Sequence, residues 1–238
     1  MVKKLIVIGF LVFAGIYSEA FGDAVLQDAF RKVSIDGIGV ITIEYKSVNI
    51  IADKWSDVFS EDWKQQFLTP GKTDVLITND GTTIKAVMTN KIKTDILWTK
   101  IVTMTDKDII IDQVIRIEYG VLDVRTILEP IYLSNDILED STYEVETVEG
   151  VKKSGRLSSL SLENRIFVDK IKYLKVNSPL TEILFQFEGE EGDSWHLKDF
   201  LDIPSTPSLV RFGFVGKYDN KTAYERHLRI IMSFGSPK

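Results

Sequence analysis

From residue 23 onward, the chain reads in short stretches where apolar side chains return at every second position. Within Thr82 to Thr89, Ile84, Ala86 and Met88 share one face and Lys85 lies on the other, the period of a half-buried strand. Thr73 to Thr78 leads into Asn79-Asp80-Gly81, and Thr82 to Thr89 leads out. Residues of this kind tolerate positive φ, so the segment predicts a hairpin. Val40 to Tyr45 and Val48 to Ala52 form a second pair of β-branched runs, separated by Lys46-Ser47. Longer apolar runs follow at Asp95 to Thr105, Ile109 to Tyr119 and Val121 to Leu128, broken by Asp106-Lys107-Asp108 and Gly120. Ile109-Ile110-Ile111 is apolar on both faces, which predicts a strand covered on both sides. Further strands are predicted at Tyr143 to Val148, Arg165 to Val168, Ile171 to Val176, Thr181 to Glu188, Leu209 to Val215 and His227 to Phe234.

Helical signals are few. Asp23 to Lys32 predicts a short helix. Ser56 to Phe67 predicts another, with Ser60 capping a turn that begins at Glu61 and with Trp63 and Phe67 four apart on one face. Strands punctuated this often by turn residues predict an all-β fold, a large antiparallel β-sandwich with one or two short helices. No internal repeat or long linker divides the chain, and Pro204-Ser205-Thr206-Pro207 reads as a short rigid loop. A single domain over residues 23–238 is therefore expected.

Residues 1–22 follow a different pattern. Lys3 and Lys4 precede an apolar run from Leu5 to Tyr17, and both Ser18-Glu19-Ala20 and Ala20-Phe21-Gly22 have small residues at the spacing a signal peptidase requires. This predicts a secretory signal peptide over residues 1–22 and a secreted or periplasmic destination. The run is shorter than the roughly 18 to 20 residues that span a bilayer, so no stable membrane span is expected after cleavage. The strands also lack the apolar-out, polar-in alternation of a transmembrane barrel.

Charge and composition narrow the chemistry. Lys3, Lys4 and Glu19 lie in the leader, so the remainder carries 27 basic and 34 acidic residues and a net charge near −7. That balance predicts no nucleic-acid partner, since phosphate contacts need a basic surface. The chain contains no cysteine, which removes disulfides, thiol catalysis and thiolate metal sites. There is no G-x-S-x-G elbow, P-loop or H-E-x-x-H, and the only histidines are His196 and His227.

The segment Glu188 to Asp202 is the most unusual, because an acidic, glycine-bearing turn leads into Trp195, His196, Asp199 and Asp202 in close succession. An exposed indole stacks on a sugar face while carboxylates accept from hydroxyls, so these four are the candidate ligand-binding residues. The same carboxylates suit calcium through oxygen ligands, making calcium the one possible cofactor. The alternative is a solvated turn at Glu190, Glu191 and Asp193 with Trp195 in the core. Asp106, Asp108 and Asp112 start like a calcium loop, but Ile111 and Ile117 stand where glycine and glutamate are needed. Asp106 and Asp108 are therefore expected to form a turn. Trp98, inside an apolar run, is expected in the core.

The run from Ile96 to Leu133, with its long paired strands around Asp106-Lys107-Asp108, resembles the large β-sandwiches of the galactose-mutarotase type. The segment Ser194 to Asp199, followed by a new strand, is similar in character. Such domains accompany many polysaccharide-active enzymes, so the resemblance implies a β-sandwich associated with carbohydrate. Mutarotases use histidines with a carboxylate, and no such set maps onto His196 and His227. Three functions are thus carried forward: an exported non-catalytic protein that binds carbohydrate or a surface polymer; and, as alternatives, a carbohydrate-active enzyme such as an epimerase, lyase or glycosidase, or a structural subunit of a cell-envelope assembly.

Overall fold

The computed structural model of the chain describes residues 23–52, 57–60, 65–69, 71–91, 95–118, 124–157, 160–161, 165–190, 194–201, 210–218 and 221–235. Its strands are β1 (Ala24–Gln27), β2 (Arg31–Ile35), β3 (Ile41–Tyr45), β4 (Val48–Ala52), β5 (Asp57–Ser60), β6 (Thr73–Asn79), β7 (Thr83–Asn90), β8 (Ile96–Met104), β9 (Asp108–Ile117) and β10 (Val124–Leu133). The second half adds β11 (Thr142–Thr147), β12 (Lys152–Arg156), β13 (Phe167–Asp169), β14 (Ile171–Asn177), β15 (Glu182–Glu188), β16 (Trp195–Asp199), β17 (Val210–Lys217) and β18 (Tyr224–Phe234). They form two nine-stranded sheets. Sheet A runs β1-β2-β3-β4-β10-β17-β16-β13, with β5 also pairing β10, and sheet B runs β12-β11-β14-β15-β18-β9-β8-β7-β6. The large antiparallel β-sandwich predicted from periodicity is the fold.

Period-two patterning sets which side chains fill the space between the sheets. Ile84, Ala86 and Met88 of β7 and Leu228, Ile230 and Met232 of β18 are buried on the inner face of sheet B. Across the core, Phe185 and Phe187 of β15 meet Phe212 of β17 at ring-centroid distances of 4.9 and 5.1 Å, which locks one sheet onto the other. Trp98 is buried as expected, and its Nε1 donates to Gln113 Oε1 at 2.8 Å.

The turns follow their sequence chemistry. Gly81 adopts φ +92°, while Asp80 Oδ1 accepts from Thr82 N and Thr83 N, closing the β6–β7 hairpin. Lys46 and Ser47 both take positive φ, 50° and 65°, the handedness that matches the twist of a two-residue hairpin. Asp106 and Lys107 form the β8–β9 turn, with Thr105 N donating to Asp108 O at 2.9 Å. Pro130 lies inside β10, opposite Gly213. On the other edge of β10 the partner changes from β5, which ends its pairing at Leu128, to β4, which pairs at Leu133. Pro130 falls in that gap, where no amide hydrogen is required.

Both predicted helices are corrected. Residues 24–35 form the β1–β2 hairpin: Ala24 and Leu26 point inward while Val25 and Gln27 point out, and Asp28 Oδ1 accepts from the amides of Phe30 and Arg31 to turn the chain. The Ser56 to Phe67 segment contributes β5, and Phe67 N donates to Val58 O at 3.0 Å as the chain returns beside it. Ser60 Oγ accepts from Gln65 N at 3.0 Å; Glu61 and Trp63, on which the predicted cap and helix face rest, lie outside the described residues. Within the segment, pairing with β10 makes Asp57–Ser60 a strand and buries Val58 and Phe59. Among the described residues the one helical element is a 3-10 turn at Asn135–Ile137, where Ser134 Oγ accepts from Asp136 N. No helix of the described residues is long and apolar enough to cross a membrane.

Candidate functional site

Three of the four predicted ligand residues sit on β16, and the strand's alternation separates them. Trp195, 3% exposed, points into the core with Leu197, its ring 5.1 Å from Phe187 and 5.9 Å from Phe214. Of the two readings of Trp195, exposed stacking residue or core residue, the structure has the core one, which corrects its place among the ligand candidates: the two-residue period puts Trp195 on the same side as Leu197, and that side faces sheet B. Asp199 is fully buried, accepting from Arg165 Nε at 2.5 Å and from Ile166 N, so it ties the chain before β13 to β16. His196 points to the outer face of sheet A. Burial lowers its imidazole from 6.5 to about 4, with Arg211 and Lys198 adding to the fall and Asp169 opposing it. Asp202 lies outside the described residues. His227 is on sheet B, so the two histidines do not meet.

A broader concavity occupies the outer face of sheet B. One groove of about 620 Å³ crosses β12, β11, β14 and β15 and is lined by Glu144, Glu146, Lys152, Tyr173, Lys175 and Leu184. A second, of about 460 Å³, crosses β15, β18, β9 and β8, with Ile101, Asp112, Val114, Glu188, His227 and Arg229. Both grooves open on the outer face of sheet B, a broad trough that the Leu184–Ser233 and Gln186–Ile231 pairs carry from β15 to β18, although the two share no lining residue. Its floor is half-buried and apolar: Ile231 pairs directly with Ile110, and Leu184 and Ile101 lie one diagonal step to either side. Ile110 therefore lies on an open face, and the expectation that the Ile109-Ile110-Ile111 strand is covered on both sides is corrected. The apolar run supplies the trough's floor with one residue while Ile109 and Ile111 enter the core.

The walls carry charges in alternating sign. Asp112 accepts from Arg229 Nε at 2.5 Å, Glu225 from Arg116 Nε at 2.6 Å, and Lys175 lies 2.9 Å from Glu182. His227 Nε2 is 3.0 Å from Glu225 Oε1. Hydrogen bonds from Arg116 and His227 hold the Glu225 carboxyl below its usual range, and the hydrogen bonds that Arg229 donates to Asp112 raise Arg229. Glu225 and Arg229 therefore keep their charges around neutrality. Adjacent fixed donors and acceptors above an apolar floor suit a ligand whose hydroxyls both give and accept hydrogen bonds. Tyr173, half-exposed and flanked by Glu146 and Gln186, offers an aromatic face among them. Among the described residues no group of three or more potential metal-ligating side chains is present.

Reading the sequence for unusual composition missed Tyr173 and Lys175. Their signal was alternation: in Ile171 to Val176, Leu174 and Val176 take the buried face and leave Tyr173 and Lys175 on the open one.

No protein-family model matches the chain, and no curated protein matches it. Solved structures do. The chain is similar to a galactose mutarotase related enzyme from Lactobacillus acidophilus, with a TM-score of 0.52 and 8% identity over 90% of this chain and 97% of that one. The fold is galactose-mutarotase-like. It is also similar to an alpha-N-acetylgalactosaminidase from Bifidobacterium bifidum (TM-score 0.60, 9% identity, 90% of this chain and 36% of that one). A heparinase III gives a TM-score of 0.54 at 11% identity, covering 90% of this chain and 34% of that one. The chain thus spans nearly all of the first structure and about a third of the other two. At these identities the likeness defines the fold.

Proposed function

We propose that the chain is an exported, non-catalytic β-sandwich that binds carbohydrate through the trough on the outer face of sheet B. The observation that carries this reading is the combination of Tyr173, the half-buried apolar floor and the alternating ion pairs along the trough. The fold supports it, since similar structures include proteins named for galactose, N-acetylgalactosamine and heparin chemistry. A sugar ring would stack on Tyr173 while its hydroxyls bridge Glu146, Lys175 and Gln186. A glycan-array screen of the exported protein, with and without calcium, tests this directly. Binding that Tyr173→Ala removes while the fold persists supports it; a folded protein that binds no glycan overturns it. Residues 1–22 are proposed to leave as a signal peptide, which N-terminal sequencing of the exported protein would check.

The enzymatic alternative rests on His227 beside Glu225, the one imidazole–carboxylate contact on the trough wall. Against it, Arg116 already engages both carboxylate oxygens of Glu225, which opposes the proton uptake a general base requires. Turnover of a sugar lost in His227→Gln would favour the enzyme. Stable self-association without glycan binding would favour the third reading, a subunit of an envelope assembly.

A further inference from the structure

The outer face of sheet A carries a second feature, remote from the trough. Tyr132, Arg211, Lys198 and Phe167 are successive cross-strand partners on β10, β17, β16 and β13. Their chain neighbours Ile131, Phe212, Leu197 and Val168 are buried in the core, so all four side chains of the row point outward. Arg211 and Lys198 are direct partners, and like charges placed opposite each other in an antiparallel pair repel. Both lie against one ring: the Arg211 guanidinium is 4.4 Å and the Lys198 Nζ 5.1 Å from the centroid of Phe200, whose ring also packs 6.2 Å from Tyr132.

Nothing among the described residues balances these two charges. Neither side chain is in an ion pair, and Arg211 Nε is buried without an acceptor. The next row is no remedy. His196 is buried beside the pair, and Asp169, the carboxylate on that row, accepts from Ser194 Oγ and Lys170 N and forms no ion pair with Arg211 or Lys198. A buried guanidinium N–H without an acceptor is costly, and the row adds like-charge repulsion to that cost. A face of π-electron density lowers the expense of holding the cations together but leaves their donors unfilled.

We propose that Arg211 and Lys198, held against Phe200, form a seat for a small oxyanion, a carboxylate, sulfate or phosphate group, on the outer face of sheet A. The anion would accept from the terminal guanidinium nitrogens of Arg211 and from Lys198 Nζ and cancel their mutual repulsion. Phe167, 59% exposed and next to Lys198 in the row, provides an apolar surface for the body that carries the group.

The test is thermal unfolding of the whole protein at constant ionic strength, titrated with sodium sulfate, sodium phosphate or sodium glucuronate against sodium chloride. The expected result is a saturable rise in Tm with at least one of the three. Response to the inorganic anions alone identifies a free-ion site, and response to glucuronate alone a site for an acidic sugar. Lys198→Gln, at a half-exposed position, should raise Tm without anion because it removes the repulsion, and should weaken anion binding about tenfold or more. Arg211→Gln should weaken it similarly. A general salting effect of sulfate would act equally on Lys198→Gln. The proposal is overturned if no anion gives a saturable rise, if the rise is the same in Lys198→Gln, or if Lys198→Gln lowers Tm.

Discussion

The indole of Trp195 in sheet A meets the ring of Phe187 in sheet B at a centroid distance of 5.1 Å, with Phe214 5.9 Å away on the indole's own sheet. This contact spans the sandwich, so Trp195 serves cohesion between the sheets rather than ligand binding. Trp195→Ala should destabilise the fold by about 3–5 kcal/mol, the usual cost of an aromatic-sized cavity. Because Trp195 Nε1 has no hydrogen-bond partner among the described residues, Trp195→Phe forfeits no polar contact and should cost markedly less. Urea unfolding of both variants checks this, and equal midpoints for wild type and Trp195→Ala would contradict it.

His196 should make stability depend on pH. Its folded-state value is depressed to about 4 from 6.5, chiefly by burial, so below pH 6.5 the unfolded chain takes up a proton that the folded chain resists. The stabilisation is complete above about pH 6.5 and is lost as pH falls toward 4, by a total on the order of 3 kcal/mol. Urea unfolding at pH 7.5 and pH 4.5 should show a fall in wild type that is smaller in His196→Gln. Matching falls in the two proteins would assign the pH dependence to other groups.

The strands were legible wherever one face is buried, because alternation and burial then describe the same fact. Ile84, Ala86 and Met88, and likewise Leu228, Ile230 and Met232, could be placed on one shared face from the sequence alone. Alternation says which residues share a face, but it does not say whether that face turns inward. Trp195 was chosen as a ligand residue for its chemistry, whereas its partnership with Leu197 decides its direction. Tyr173 carries the same chemistry on the open face and looked ordinary. The Asp23 to Lys32 segment read as a helix because a short mixed run satisfies either period, and Ser56 to Phe67 because a capping serine and a four-residue aromatic spacing also occur outside helices. Pairing settles both as strands: β2 with its neighbour β3, and β5 with β10, distant in sequence.

Gly39 illustrates a constraint the sequence does not display. It holds φ +82°, and a Cβ added there would collide with the Met88 thioether; its carbonyl accepts from Nζ of the fully buried Lys100 at 3.1 Å. Gly39→Ala should therefore destabilise by about 1–3 kcal/mol, from left-handed strain together with displacement of Met88. Adding Met88→Ala to Gly39→Ala should give a double variant more stable than the two single costs predict, because the smaller side chain removes the clash. Strict additivity in urea unfolding would mean that Met88 moves aside freely and backbone strain is the whole cost.

The ion pairs of the trough should matter more for ligand than for fold. Asp112 and Arg229 are close at 2.5 Å but both remain substantially exposed, and exposed pairs contribute only about 0–1 kcal/mol. Asp112→Asn should leave the urea midpoint nearly unchanged. It should nevertheless alter glycan binding, because it releases Arg229 from its partner and removes a fixed acceptor from the trough wall beside Ile101 and Val114. Lys175→Gln, on the other side of Leu184, should act likewise through Glu182. Loss of stability in both variants without any change in glycan binding would make these pairs struts of sheet B, and would move the sugar site away from this face.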